Sequence, residues 1–244
     1  MQLPLPVTLP ADETFSSFIA TCNEQLVTML SSLAASVPHW QAQPALSAFA
    51  NQRLPLCIVT GPSGRGKSHL LYACCHHIAH RQVDHIYLNL SDAAQWSPGV
   101  FDGLENLAFI ALDNIHAIAG DAQWEEALFD LLNRVMEQRA CVILCSSAIG
   151  PVNPAFLLPD LRSRLQWGMT YQLQSLDDNS RKLALQYRAE QKGLNFSATA
   201  LQFLLTHYDR NLTSLMKMLD RLDTRSLQEQ RKITVALVKR ELGL

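Results

Sequence analysis

Leu56-Cys57-Ile58-Val59-Thr60-Gly61-Pro62-Ser63-Gly64-Arg65-Gly66-Lys67-Ser68 is the stretch on which the fold turns. Its first five residues are a short apolar run that stops at a glycine, the pattern of a buried strand. The next eight complete a G-x4-G-K-S motif. A strand before it and a helix after it are what separate a phosphate-binding loop from a chance glycine turn. Glycines let backbone N–H groups turn inward onto phosphate oxygens, and the helix N-terminus adds partial positive charge. Lys67 is spaced to reach the β- and γ-phosphates and Ser68 to ligate Mg²⁺. The sequence therefore predicts a bound nucleotide, ADP or ATP with Mg²⁺. Its predicted contacts are Gly61, Pro62, Ser63, Gly64, Arg65, Gly66, Lys67, Ser68 and the adjoining His69.

Outward from this loop, a helix is expected over 67–81 and strands at 85–90, 107–112, 141–145 and 169–173. Trp124, Leu128, Leu131 and Val135 line one face of a helix over 123–138. Upstream, Leu26, Met29, Leu30 and Leu33 mark a helix at 24–36, whereas the Gln- and Ala-rich stretch 38–53 assigns itself to no element. Apolar strands alternating with helices imply an α/β fold with a parallel sheet covered on both faces. From Asp177 the strands stop. Helices are expected at 178–192, 198–208, 211–227 and after Thr234, with Asn179, Ser197, Asn211 and Thr234 as their caps. The reading gives three parts: an extended tail at 1–10 carrying Pro4, Pro6 and Pro10, an α/β nucleotide-binding domain at 11–175, and a small all-α domain at 176–244.

Composition narrows the class. At 48% hydrophobic and 17% charged over 244 residues, the chain is neither disordered nor collagenous. No apolar run approaches the roughly 18–20 residues that cross a bilayer. The first basic residue is Arg53, so no secretory signal is expected and the protein reads as cytoplasmic, with no membrane partner. Residues 1–176 hold eight Lys and Arg against fourteen Asp and Glu, and residues 177–244 hold twelve against eight. An acidic body with a mildly basic end argues against a free-standing DNA binder. The six cysteines form no CxxC pair and are expected to be reduced core residues. Cys74, Cys75, His76, His77 and His80 crowd one helix, where consecutive residues face different ways; core cysteines beside surface histidines fit better than a zinc site.

Two further features carry chemistry. Asp113 ends the strand LAFIAL, where a carboxylate can hold the metal's water shell beside Ser68. Many P-loop ATPases follow it with a glutamate that activates water; here Asn114 stands there and cannot take a proton, so slow or absent hydrolysis is expected. Arg162 and Arg164, in DLRSRLQWG, point about 200° apart on a helix, so only one can face a given partner. Spacing alone favours a solvated face for both.

In this order, the P-loop, Asp113, CVILCSS, LPDLRSRLQWG and the helical end resemble AAA+ ATPases of the DnaA type. DETFSSF, ALDNIHAIAG, WEEALFDLLNR and QRKIT narrow the resemblance to the DnaA-related regulatory inactivators, over essentially the whole chain. The resemblance implies an AAA+ domain followed by a helical lid. It also implies that Arg164 acts in trans on ATP held by DnaA, converting the initiator to its ADP form, with Arg162 as the runner-up. The chain's own P-loop would hold ADP. Phe15 and Phe18 fall in the stretch that closes over adenine, and Ser146 and Ser147 at sensor 1. Gln2-Leu3-Pro4-Leu5-Pro6 resembles a peptide that docks on the β sliding clamp of DNA polymerase III, with Gln2, Leu3, Leu5 and Pro6 as contacts; DNA would then be met mainly through the clamp. The family's lid arginine is replaced by Thr213, with Arg210 three positions earlier; either Arg210 substitutes or the lid does not sense phosphate. Homo-oligomerisation stays open. The competing readings are an autonomous ATPase, such as a helicase loader or remodeller, and an adaptor whose P-loop is structural.

Overall fold

The computed structural model describes residues 9–194, 196–208, 212–229 and 232–243. Two compact units emerge: Met1–Phe18, Asn23–Pro62 and Gly66–Leu173 in one, and Ile19–Cys22, Ser63–Arg65 and Gln174–Leu244 in the other.

The first unit is built on five strands, β1 Leu56–Thr60, β2 His85–Asn89, β3 Phe109–Asp113, β4 Val142–Ser147 and β5 Met169–Gln172. They pair in parallel in the order β2-β3-β4-β1-β5. Around them lie α1 Glu24–Ser36, α2 Ser47–Ala50, α3 Lys67–Ala79, α4 Ala122–Gln138 and α5 Pro159–Leu165. The third strand starts two residues later than its apolar run and takes in Asp113. Residues 38–53, which the sequence left unassigned, form 3₁₀ turns at Trp40–Ala42 and Pro44–Leu46 before α2.

Period-two alternation splits β1, β2, β3 and β4 between two cores, whereas the edge strand β5 packs only one face. Cys57 and Val59 pack with Leu26, Leu30 and Leu33 of α1 and Leu70, Leu71 and Cys74 of α3. Ile58 faces the other way, toward Leu128, Leu131 and Val135 of α4 and Leu161 of α5. Both faces are covered, so a polar residue anywhere along β1 would be buried without water. Five cysteines lie in these cores, where burial pushes the Cys57 and Cys75 thiols up to about 12. Cys22 departs from the expectation: it is exposed, at a positive φ of 65°.

β5 owes its closeness to β1 to Gly168. A Cβ built there would stand 2.6 Å from the Leu56 carbonyl oxygen and 2.8 Å from Leu56 Cβ, contacts that only backbone movement relieves. Gly168→Ala is expected to push β5 off β1 and cost about 1–3 kcal/mol, the usual range for overpacking. Thermal unfolding of the full chain would then fall by roughly 2–12 °C; an unchanged midpoint would mean that this edge of the sheet yields freely.

The second unit carries α6 Asp178–Gln191, α7 Ala198–His207, α8 Leu212–Glu229 and α9 Val235–Leu242 around Leu185, Leu201, Leu204, Leu215, Leu219, Leu222 and Val238. Ser197 and Thr234 cap α7 and α9 through their hydroxyls, as expected. At α6 the cap is Asp177, which accepts from Ser180 N at 2.7 Å, and Asn179 lies inside the helix. Asn211 lies outside the described residues. Lys192 pairs with Asp220 at 2.8 Å, and Arg221 and Arg225 both reach Glu241, at 3.1 and 3.2 Å. No helix among the described residues is long and apolar enough to cross a membrane.

Candidate nucleotide-binding site and arginine-bearing helix

The strand order brings three chain reversals together. β4 lies between β1 and β3, so the loop after β1, the Ser146–Ser147 end of β4 and Asp113 at the end of β3 open on one edge of the sheet. Ligands of open parallel sheets bind at such carboxyl ends. The loop turns through Gly61, Gly64 and Gly66 at φ values of 145°, 78° and 90°, which side-chain-bearing residues rarely adopt. α3 then starts at Lys67 with no side-chain cap and no acidic residue in its first turn. Lys67, only 7% exposed, donates from Nζ to the carbonyls of Gly61 at 2.7 Å and Pro62 at 2.9 Å. An uncapped helix N-terminus, a glycine-rich turn and a buried ammonium form a cradle that fits an anionic phosphate.

Asp113 is 1% exposed and held from both sides. The Tyr87 hydroxyl donates to Oδ2 at 2.7 Å, and the Ser146 hydroxyl donates to Oδ1. Burial first, and then the Asp113 charge, push the Tyr87 phenol upward, so it stays a donor. Each carboxylate oxygen keeps a second lone pair, so Asp113 together with the Ser68 hydroxyl offers hard oxygen donors of the kind Mg²⁺ takes. Asn114 sits at φ 59° and ψ 45°; its amide Nδ2 donates to Asn89 Oδ1 at 2.9 Å and its backbone N–H to Ser146 Oγ, also at 2.9 Å. A side chain so used has no basic atom for water. The Ser147 hydroxyl accepts from Ile149 N at 3.2 Å, while its carbonyl accepts from Gly61 N at 3.2 Å.

A strap formed by residues 9–18 closes onto α3. His69 Nε2 lies 2.9 Å from the Thr14 carbonyl and 3.2 Å from Ser17 Oγ, and His76 Nε2 lies 2.8 Å from the Pro10 carbonyl. Phe15 meets His77 edge-on, and Phe18 meets His69. A Cβ on Gly66 would fall 2.8 Å from the Phe18 ring, so the strap rests directly on the loop. Burial lowers the His69 pKa, partly offset by the Thr14 carbonyl. Glu13, 4.0 Å from His69 Nδ1, is pushed upward by burial and by the charge of Asp113. Burial likewise lowers His116, with the Lys67 charge adding to it. Tyr87, Glu13 and His116 were not singled out from sequence: each reads there as an ordinary strand or loop residue, and only the tertiary fold brings it to Asp113 or Lys67.

The two arginines of α5 diverge as their spacing predicts. Arg162 Nη1 donates to the Phe156 carbonyl. Arg164 turns the other way, donating from Nε to Asn133 Oδ1 of α4 at 2.6 Å and stacking 4.0 Å from the Trp167 ring centroid. The segment leading into α5 is tied down by Glu125, which is fully buried and accepts the N–H groups of Gly120, Leu157 and Leu158 at 2.7, 2.9 and 2.6 Å. Glu125→Ala would strand those three donors, a loss expected on the order of 3 kcal/mol by chemical denaturation; a wild-type midpoint would show that the loop finds other acceptors. Gln2, Leu3, Leu5, Pro6 and Arg210 lie outside the described residues. Thr213 falls in the first turn of α8.

Comparison with known proteins follows this geometry. Residues 173–242 match the family described as "Hda, lid domain". Domain III of the replication initiation protein DnaA from Thermotoga maritima superposes with a TM-score of 0.76 at 17% identity, over 96% of this chain and 97% of that one. AMPPCP-bound DnaA from Aquifex aeolicus gives 0.68 at 18% identity, over 88% of this chain and 65% of that one. A point mutant of Thermotoga maritima RuvB gives 0.66 at 15% identity, over 96% and 72%. Residues 173–242 are thus similar to the Hda lid domain, and the chain as a whole shares the fold of domain III of DnaA.

Proposed function

We propose that this protein is a cytoplasmic regulator of replication initiation that inactivates DnaA. It holds ADP with Mg²⁺ in its own P-loop, docks through Gln2, Leu3, Leu5 and Pro6 on the DNA-loaded β sliding clamp, and places Arg164 against ATP bound to DnaA. DNA is met mainly through the clamp. What carries the reading is the match of residues 173–242 to the Hda lid family on a chain with the DnaA domain III fold. Two features of the site support it. Asn114, spent on Asn89 and Ser146, leaves the chain's own site without a base beside Asp113. Arg164 offers charge elsewhere on the molecule, where a trans-acting guanidinium belongs.

Lys67, Ser68 and the loop amides would bind the phosphates, Asp113 and Ser68 would hold the magnesium, and the ion would neutralise phosphate charge. Phe18 rests on Gly66, where the loop runs into α3. In trans, the Arg164 guanidinium would stabilise charge on the transferring phosphoryl group while DnaA supplies the attacking water.

The test is a reconstitution: DnaA loaded with labelled ATP, clamp loaded on DNA, and this protein, with DnaA-bound nucleotide followed in time. Conversion to ADP that needs all three components is expected. Turnover by the protein without DnaA would favour the autonomous ATPase, and binding without hydrolysis the structural adaptor. Purified alone with ATP, the protein is expected to hydrolyse slowly or not at all, and a brisk rate contradicts the role given to Asn114. Removing residues 1–7 should abolish clamp capture while leaving the unfolding midpoint unchanged; capture by the truncated chain would refute the tail assignment.

A further inference from the structure

The parallel register brings the starts of three strands together on the edge of the sheet opposite the nucleotide cradle. Cys57 of β1 pairs with Met169 of β5, and Leu56 of β1 with Ile143 of β4. Arg53, ahead of β1, thereby meets Arg139, ahead of β4, and Trp167, ahead of β5. The guanidinium carbon of Arg53 lies 5.3 Å from the Trp167 ring centroid, and that of Arg164 lies 4.0 Å from the same centroid, so one indole carries two cations. Arg139 fixes the turn that bears Arg53. It donates from Nη1 to the Arg53 carbonyl at 3.2 Å, and from Nη2 to the Ala50 and Gln52 carbonyls at 3.2 and 3.1 Å. Among the described residues, none of these three arginines stands in an ion pair. Residues 1–176, with fourteen acidic side chains against eight basic ones, thus gather three of those eight at one edge with no counter-charge.

We propose that Arg53 is a docking cation that meets a carboxylate on the surface of the protein whose ATP Arg164 reaches. The inference rests on the trans-acting role of Arg164 and extends it to a residue outside the chemistry, one that sets how tightly the partner is held. Positive charges gathered without counter-ions favour a partner surface of opposite sign. Two arguments make the anion a carboxylate. The phosphates of a nucleotide in a P-loop are already met by that protein's own lysine, amides and metal. Arg53 is also exposed, whereas Arg164 is half-buried, and an exposed charge belongs to the rim of an interface. Stacking on the indole holds the Arg53 guanidinium by its flat face and leaves its N–H edge for a bidentate carboxylate.

Arg53→Ala tests it. Arg139 bonds only to the backbone of the turn, so the variant is expected to fold, which its unfolding midpoint checks. Should the midpoint fall, Arg53→Gln, which keeps the stem, is measured in its place. At low salt, the concentration of this protein giving half-maximal stimulation of DnaA-bound ATP hydrolysis should rise about twofold to fivefold, the scale of an exposed ion pair. Arg53→Glu should raise it further, and Arg53→Lys less than alanine does. The maximal rate should not move, because a contact made equally before and during the reaction is uniform binding. Added salt should bring wild type and Arg53→Ala together as the pair is screened. Capture of nucleotide-free DnaA on clamp-loaded DNA should weaken by the same factor as capture of ATP-loaded DnaA. Weakening seen only with nucleotide present would assign Arg53 to a phosphate and overturn the proposal. A wild-type half-maximal concentration at low salt, a fall in maximal rate, or an effect indifferent to salt would overturn it too. If Arg164→Ala is inactive while Arg53→Ala matches the wild type, only the docking role falls. If Arg164→Ala is itself fully active, the trans-arginine reading fails and the docking role with it.

Discussion

Arg164→Ala is expected to reduce stimulated hydrolysis of DnaA-bound ATP by about 10³–10⁵-fold, leaving little more than the initiator's own rate. A thousandfold loss corresponds to about 4 kcal/mol of transition-state stabilisation. One guanidinium can supply that much because the charge on a transferring phosphoryl group grows in a site from which water is excluded, where electrostatic terms are least screened. The structure also predicts how substitutions will rank. Arg164→Lys keeps the charge but loses the planar fork, the Nε donor to Asn133 and the flat face on Trp167, so it should recover little. Arg162→Ala removes a donor to the Phe156 carbonyl and should weaken the loop before α5 more than it slows hydrolysis. Single-turnover measurements on DnaA loaded with labelled ATP, at saturating regulator, read all three. An Arg164→Ala protein as active as the wild type, beside an inactive Arg162→Ala, would exchange the two roles.

The strands and helices were legible because each announces itself by a local pattern. LCIVT, LAFIAL and CVILC are apolar on both faces, which only a sheet covered twice requires, and Trp124, Leu128, Leu131 and Val135 return at helical spacing to a buried face. That same uniformity hides the strand order. With no polar face to set register, nothing local says that β4 separates β1 from β3. Tyr87 shows the consequence. It pairs with Ala111, two positions before Asp113 and therefore on the same side of the sheet, and its bond to Asp113 exists only because β2 and β3 are neighbours. Glu125 was hidden for a related reason. Beside Trp124, at the edge of an amphipathic face, it reads as solvated, but the chain returns at Leu157 and Leu158 and buries it. At the start of α6, Asp177, Asp178, Asn179 and Ser180 all suit a cap, so local chemistry alone could not choose Asp177.

On the proposed function the P-loop serves retention and the arginine helix catalysis, and the two should break separately. Lys67→Ala should break retention. Its ammonium is buried in the cradle formed by Gly61, Pro62 and the start of α3, and hydrogen bonds to a charged group contribute about 1.5–3 kcal/mol each. Losing them should weaken ADP roughly a hundredfold. Linkage turns that into a stability measurement on the full chain. At ADP a hundred times the wild-type dissociation constant, binding stabilises the wild type by about 2.7 kcal/mol, a rise of roughly 5–11 °C in unfolding midpoint. The same concentration only half-saturates the variant, for about 0.4 kcal/mol and roughly 1–2 °C. Without ADP, the variant should start somewhat lower, because the Gly61 and Pro62 carbonyls lose their donor. The difference between midpoints with and without ADP therefore isolates binding from folding. Were Lys67→Ala to gain as much from ADP as the wild type, the nucleotide would lie somewhere other than this loop. Arg164→Ala should keep the full ADP-induced rise, since Arg164 is anchored to α4 and Trp167 and takes no part in the cradle.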